Sequence, residues 1–170
     1  MTPSLTSKQI RAALAVHLRY ERQCIIFAFE RGLCAGSPDV FGVLPDRHFI
    51  EFEVKISVGD FRRDAKKDKW TMPTSIWSKR PRLFYYAVPP EIVDKVTPLL
   101  PKGAGLVTLG GWDPISKLPV VIFKKKPVAD KAAIKATDSD IWAMAKHLSG
   151  TACNILTQHY AETYLRPEPT

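Results

Sequence analysis

The most restrictive feature of this sequence is RHFIEFEVKI, a ten-residue stretch in which two kinds of side chain alternate. The even positions of residues 50–56 are all apolar. The odd positions carry Phe49, Glu51, Glu53 and Lys55. Because successive side chains of a β-strand point to opposite faces, this period predicts a strand with one core face and one charged face. Two acids and a lysine are therefore expected side by side in the middle of a small domain.

The segments around this strand predict a mixed α/β fold. A capping box at Thr6 and Gln9 precedes apolar residues at helical spacing, which predicts a helix over residues 7–21. DVFGVL and RHFIEFEVK flank a Pro-Asp turn and predict a β-hairpin, so the first part of the fold is expected to be largely antiparallel. The other predicted elements are, in chain order, strand 24–29, helix 57–70, strand 82–88, a helix from Pro90, strand 104–110 and strand 119–123.

The C-terminal region predicts two short helices, residues 138–149 and 151–165, divided at Ser149-Gly150. These helices either complete the core or form the contact of a homodimer. The length of 170 residues fits one domain, with its core at residues 7–127 and a C-terminal helical segment at residues 137–166.

Composition and cysteine usage argue against several classes of protein. Cys24, Cys34 and Cys153 are odd in number and lack CxxC spacing, so we expect reduced residues rather than a disulfide frame or a zinc site. No run of about 18 apolar residues occurs, so no membrane span is expected. The N-terminus lacks the pattern of a secretory signal. These features favour the cytoplasm of a bacterium or of a phage-infected host cell.

Positive charge is concentrated in one segment. The formal net charge is +8, and residues 55–82 hold nine Lys or Arg against three Asp. A basic segment with interleaved aromatic residues favours a polyanionic partner, most often nucleic acid, and a solvated helix face is the alternative. Lys and Arg would bind phosphates, together with Trp70 and Trp77, and Trp77 would stack on an unpaired base. Core packing is the alternative for either Trp. The candidate nucleic-acid-binding residues are Arg62, Arg63, Lys66, Lys67, Lys69, Trp77, Lys79 and Arg80.

The charged strand face offers the chemistry of a divalent metal site. Glu53 and Lys55 are two residues apart on that face, and Asp39, at the start of the paired strand, can reach the same place. Carboxylate oxygens are the ligands that Mg²⁺ prefers. A lysine beside them can orient or deprotonate a water, or neutralise charge on a phosphate. The alternative is a solvent-facing strand with a Glu–Lys ladder.

These residues also carry a family resemblance. The SPD motif at residues 37–39, followed by the EVK motif at residues 53–55, resembles the signature of the PD-(D/E)xK nuclease superfamily. EVKISVGDFRRDAKKDKW and RPRLFYYAVP resemble more closely its MmcB-like and phage-encoded members, and the resemblance covers residues 7–110. It implies a restriction-endonuclease-like αβββαβ core with a mixed sheet, followed by C-terminal helices. It also implies a Mg²⁺-dependent DNA nuclease, with Mn²⁺ able to substitute, in DNA repair, recombination or phage DNA processing.

The resemblance implies roles for individual residues. The side chains of Asp39 and Glu53 and the backbone carbonyl of Val54 would be metal ligands. Lys55 would be the catalytic lysine that assists the attack of water on phosphorus. Many members add an acid from the first helix, and Glu21 is the candidate here, with a surface acid as the alternative reading.

Several choices stay open on the sequence alone. Glu30, after the first strand, is a second candidate for the additional acid, and Glu51 either binds a second ion or contacts Arg47 or solvent. The substrate is single-stranded, duplex or branched DNA, or RNA, and cleavage is endonucleolytic or exonucleolytic. Two other functions are a non-cleaving nucleic-acid-binding accessory module of the same fold and a protein-interaction factor whose basic segment binds an acidic partner.

Overall fold

One mixed β-sheet organises the residues that the computed structural model describes, which are 5–30, 38–65 and 80–164. Its six strands are β1 (Ile26–Phe29), β2 (Val40–Val43), β3 (Phe49–Val54), β4 (Leu83–Ala87), β5 (Gly105–Trp112) and β6 (Pro119–Lys125). Their order in the sheet follows their order in the chain. β1, β2 and β3 are antiparallel, β3, β4 and β5 are parallel, and β6 returns antiparallel to β5. The fold is therefore α/β with a mixed sheet, as predicted.

Helices cover both faces of this sheet. They are α1 (Ser7–Val16, continued by a π-helical turn over His17–Glu21), α2 (Val58–Ala65), α3 (Val93–Val96, between 3₁₀ turns) and α4 (Asp138–Tyr164). α1 shares one buried cluster with the sheet, and the other three helices contribute to two clusters on the opposite face.

The capping box predicted at the start of α1 is confirmed. The Thr6 hydroxyl accepts from the backbone N–H of Gln9 at 3.3 Å, and the Gln9 side chain accepts from the backbone N–H of Thr6 at 2.9 Å. These two bonds satisfy backbone donors that a helix start otherwise leaves without partners. Ile10, Leu14 and Leu18 then form the stripe that packs on the sheet.

The even-numbered residues of β3 face α1. Ile50, Phe52 and Val54 join the buried cluster that contains the apolar stripe of this helix. Ile56, the last apolar position of the alternating pattern, is 50% exposed because the strand ends before it. The predicted alternation therefore places the core correctly as far as the strand extends.

The charged face of β3 is buried as well. Phe49 packs under α4, and Tyr86, which is paired beside Glu53 in the sheet, packs against Phe61 of α2. All six residues of β3 are buried. The alternative of a solvent-facing Glu–Lys ladder is therefore wrong, because helices shield this face also. Charges buried in this way need compensating partners.

The C-terminal helices predicted on either side of Ser149-Gly150 are one continuous helix of 27 residues, so the predicted break is wrong. A glycine inside a helix costs about 1 kcal/mol but does not end it. The Ser149 hydroxyl donates back to the carbonyl of Ala145, as serine can within a helix. The first half of α4 packs on β1 and β2, whereas residues 151–159 are exposed. In the described ranges, none of the helices combines the length and the apolar character needed to cross a membrane.

Candidate active site

The carboxyl end of β3 carries a buried ion pair. Glu53 and Lys55 are 8% and 7% exposed, and Lys55 Nζ donates to Glu53 Oε1 at 2.7 Å. The backbone N–H of Lys55 donates to the carbonyl of Ala87 at the end of β4. The parallel neighbour strand therefore fixes the position from which the lysine side chain extends.

Asp39 lies beside this pair. It precedes β2, in which Val40 is paired with Phe52, so Asp39 stands opposite Glu53 in the register. Asp39 Oδ2 accepts from the backbone N–H of Val54 at 2.8 Å. The structure thus brings the acid of the SPD motif to the acid and the lysine of the EVK motif.

Arg11 of α1 contacts two acids at once. Its Nη2 donates to Asp39 Oδ1 at 2.7 Å, and its Nη1 donates to Glu30, which directly follows β1. Sequence reasoning missed this arginine, because 28 residues separate it from Asp39 and no local pattern links them. Arg11 is the cation that compensates Asp39, as Lys55 compensates Glu53.

A second acid approaches Lys55 from α2. Asp64 is 1% exposed and accepts from the hydroxyl of Tyr86 at 2.8 Å, while its Oδ1 lies 3.6 Å from Lys55 Nζ. Lys55 is therefore held between Glu53 on its own strand and Asp64 on the helix that follows it.

The position of Asp64 has a signal in the sequence. One turn of helix separates Asp60 from Asp64, and both are expected to pair with basic neighbours on that helix. Asp60 does so, because Arg63 Nη2 lies 3.6 Å from its carboxylate. Asp64 instead follows the buried Phe61 by three residues, so helical spacing turns its side chain toward the sheet and Lys55.

The surrounding acids favour the charged form of Lys55. Burial by itself lowers the pKa of the ammonium group. The hydrogen bond and the charge of Glu53, followed by the charges of Asp64 and Asp60, outweigh burial and raise the pKa of Lys55 above its ordinary value. Lys55 is therefore a cation at neutral pH.

Glu21 and Glu30, the two candidates for an additional acid, have different surroundings. Glu21 is exposed, and its carboxylate lies 3.0 Å from Nδ1 of His17, whose ring packs at 5.2 Å from that of Phe123. Burial lowers the pKa of His17, although the charge and hydrogen bond of Glu21 oppose this shift. Glu30 shares Arg11 with Asp39. Of the two candidates, Glu30 is thus the one linked to Asp39, through Arg11.

Glu51 occupies the middle of β3. In the sheet register it stands between Phe41 of β2 and Phe84 of β4, and it is 6% exposed. Of the three alternatives for Glu51, contact with solvent is therefore wrong, since the residue is buried.

The basic segment is described in part. Arg62 and Arg63 are exposed on α2, and Arg80 is half-buried before β4. α2 begins shortly after Lys55, so the helix that carries the two exposed arginines starts at the end of the sheet where the candidate site lies. The remaining residues of the predicted nucleic-acid surface lie outside the described residues; they are Lys66, Lys67, Lys69, Trp70, Trp77 and Lys79.

The oxygen donors of this site suit a hard divalent cation. Asp39 and Glu53 present carboxylates from facing positions of two strands, and Mg²⁺ takes one or two such oxygens while it keeps several waters. Within the described ranges, no group of three or more His, Cys, Asp or Glu is arranged to hold a metal. Arg11 and Lys55 supply positive charge to the two acids in this structure. A site with two carboxylates fits Mg²⁺ in its donor chemistry.

No protein-family model matches this sequence, and no curated protein matches it significantly. Among solved structures, the chain is similar to the SPO1766 protein from Silicibacter pomeroyi, a protein of unknown function. The two share 20% sequence identity, the match covers 97% of each chain, and the TM-score is 0.55. At this identity the similarity extends to the fold alone.

Proposed function

We propose that this chain is a divalent-metal-dependent nuclease that hydrolyses DNA phosphodiester bonds, built on a restriction-endonuclease-like αβββαβ core. The observation that carries the proposal is the convergence of Asp39, Glu53 and Lys55 at the carboxyl end of β3. Burial of charged groups is costly, and clusters of this kind occur preferentially at functional sites. The resemblance of the SPD and EVK motifs to the PD-(D/E)xK signature supports the same assignment.

The proposed roles follow from the contacts. Asp39 and Glu53 would hold the cation through carboxylate oxygens, with the carbonyl of Val54 as a further donor. When held by these residues, Mg²⁺ would supply positive charge to the phosphate and would make the attacking water more acidic. Lys55 acts as an ammonium group that stabilises the negative charge developing on the phosphate. Asp64 is a positioning residue, because it contacts Lys55 from the side away from the strand.

The proposed substrate is supported by charge. Arg62 and Arg63 are exposed on the helix that follows the site, and the basic segment from residue 55 to residue 82 continues beyond them. Arginines of this kind bind phosphates without reading base sequence, so affinity for DNA should fall steeply with salt.

The test is a cleavage assay with Mg²⁺ or Mn²⁺ on closed circular single-stranded, linear duplex and branched DNA. We expect Asp39→Asn and Lys55→Met to lower the rate by at least about 100-fold, the usual scale for loss of one group that stabilises developing charge. Asp94→Asn and Lys95→Met are matched controls, because both residues are exposed on α3. Metal-dependent cleavage that survives in both site variants would contradict the proposal.

A second candidate function is a nucleic-acid-binding module of the same fold that does not cut. The observation that favours it is the pairing of each site acid with a protein cation, Asp39 with Arg11 and Glu53 with Lys55. Salt-sensitive binding of all three DNA substrates, without cleavage in either metal, would select this function over the nuclease.

A further inference from the structure

Arg11 is a half-buried cation to which the proposed reaction assigns no role. Its side chain is 28% exposed, and its two terminal nitrogens bind different acids, Nη2 binding Asp39 and Nη1 binding Glu30. Its Nε is buried and makes no hydrogen bond within the described residues. A guanidinium frequently binds one carboxylate through two parallel hydrogen bonds. The two terminal nitrogens of Arg11 instead bind two different carboxylates, so neither acid forms two hydrogen bonds with it.

Both carboxylate oxygens of Asp39 are engaged. Oδ1 accepts from Arg11 at 2.7 Å, and Oδ2 accepts from the backbone N–H of Val54 at 2.8 Å. The contact with Val54 belongs to the strand backbone and fixes the orientation of the carboxylate. The contact with Arg11 comes from a long side chain with several rotatable bonds. A cation that binds at Oδ1 competes with the guanidinium for this oxygen, because two positive groups in contact with one oxygen repel each other.

Glu30 offers a place for the displaced guanidinium. It is 62% exposed, follows β1 directly, and already binds Nη1 of Arg11. If the second nitrogen also moved to Glu30, the divided contact would become a two-bond pair with one carboxylate. Arg11 would then lose no hydrogen bond when it leaves Asp39.

We propose that Arg11 and Glu30 form a switch that controls metal access to Asp39. The guanidinium holds Asp39 when no divalent cation is bound, and it moves to Glu30 when the cation arrives. This inference rests on the proposed metal site at Asp39 and Glu53. Arg11 is a positioning residue in it, since it acts on the cation through Asp39.

The test measures Mn²⁺ binding to the full chain by titration calorimetry, without nucleic acid. Arg11→Met should bind Mn²⁺ roughly 10-fold to 100-fold more tightly, because a competing hydrogen bond between charged groups is removed. Arg19→Met removes the same charge from an exposed position on the π-helical turn and should leave the affinity within about twofold. Arg11→Lys keeps the charge but not the fork, so its affinity should lie between those of the wild type and Arg11→Met.

Glu30→Gln separates a switch from a simple effect of nearby charge. It should weaken Mn²⁺ binding in the wild-type background, because Arg11 then loses its alternative partner. In the Arg11→Met background most of this loss should disappear. An equal loss in both backgrounds would mean that Glu30 acts on the metal through its charge alone, which overturns the switch.

The remaining outcomes separate the switch from the metal site. If wild type binds Mn²⁺ and Asp39→Asn does not, but folded Arg11→Met has unchanged affinity, the switch is wrong and the metal site stands. Binding that appears in Arg11→Met alone supports the switch. Absence of Mn²⁺ binding in both wild type and Arg11→Met overturns the switch together with the metal site. Circular dichroism establishes folding, and Arg11→Lys replaces Arg11→Met in each comparison if the latter does not fold.

Discussion

The hydrogen bond between Tyr86 and Asp64 should be a measurable source of stability. Its two partners are 0% and 1% exposed, and the hydroxyl donates to the carboxylate at 2.8 Å. A hydrogen bond to a charged group contributes about 1.5–3 kcal/mol, so we expect Tyr86→Phe to lower the free energy of unfolding by that amount. The ring contact with Phe61, 4.5 Å between centroids, is retained in this variant.

Asp64→Ala should lower the free energy of unfolding further, by about 3–5 kcal/mol. It removes one partner of the buried, charged Lys55 and also the acceptor of the Tyr86 hydroxyl. The double variant should lower the free energy of unfolding by no more than Asp64→Ala alone. Phenylalanine at position 86 has no hydroxyl group that could be left buried without an acceptor. The coupling energy between the two sites is therefore expected at about 1.5–3 kcal/mol.

The assay is equilibrium unfolding in urea, followed by circular dichroism, with thermal unfolding as a second measurement. For a chain of this size each kcal/mol corresponds to a shift in Tm of about 2–4 °C. Tyr85→Phe is the control, because Tyr85 packs on Phe52 on the opposite face and its hydroxyl makes no hydrogen bond within the described residues. If the costs of Tyr86→Phe and Asp64→Ala add within about 0.5 kcal/mol, the two groups are not coupled and the buried contact does not exist in solution.

Two further predictions concern pH and salt. Burial lowers the pKa of His17 below 6.5. As the pH drops from about 6.5 toward the folded pKa, the unfolded chain binds a proton that the folded chain does not bind, so the free energy of unfolding should fall. His17→Gln should flatten this part of the curve of unfolding free energy against pH, and an unchanged slope would show that other groups cause it. Arg62→Gln and Arg63→Gln should each reduce the slope of log affinity for duplex DNA against log salt by about 0.9 if each arginine binds one phosphate. Lys95→Gln on α3 is the control. Equal slopes for all three variants would show that Arg62 and Arg63 do not contact the DNA.

The local elements were predictable because their signals are short-range. The alternating stretch around Glu51 and Glu53 predicted β3, the turn before it predicted the hairpin, and the capping box predicted the start of α1. Each signal depends on backbone geometry within a few residues, where side-chain period and secondary structure are directly linked. The break at Gly150 was a local signal as well, and it failed because one glycine costs only about 1 kcal/mol within a long helix and does not end it.

The sequence by itself determined that Asp39, Glu53 and Lys55 meet at the end of β3, because their proximity follows from strand pairing. The tertiary structure alone decided what those charges contact. Arg11 reaches Asp39 across 28 residues, and Tyr86 reaches Asp64 across 22. It also decided that the charged face is buried under helices. The charges on this face therefore need partners, which they would not need on a solvent-exposed strand. The physical reason is that Coulomb energy and desolvation depend on distance through space and on neighbouring atoms, neither of which one-dimensional spacing specifies.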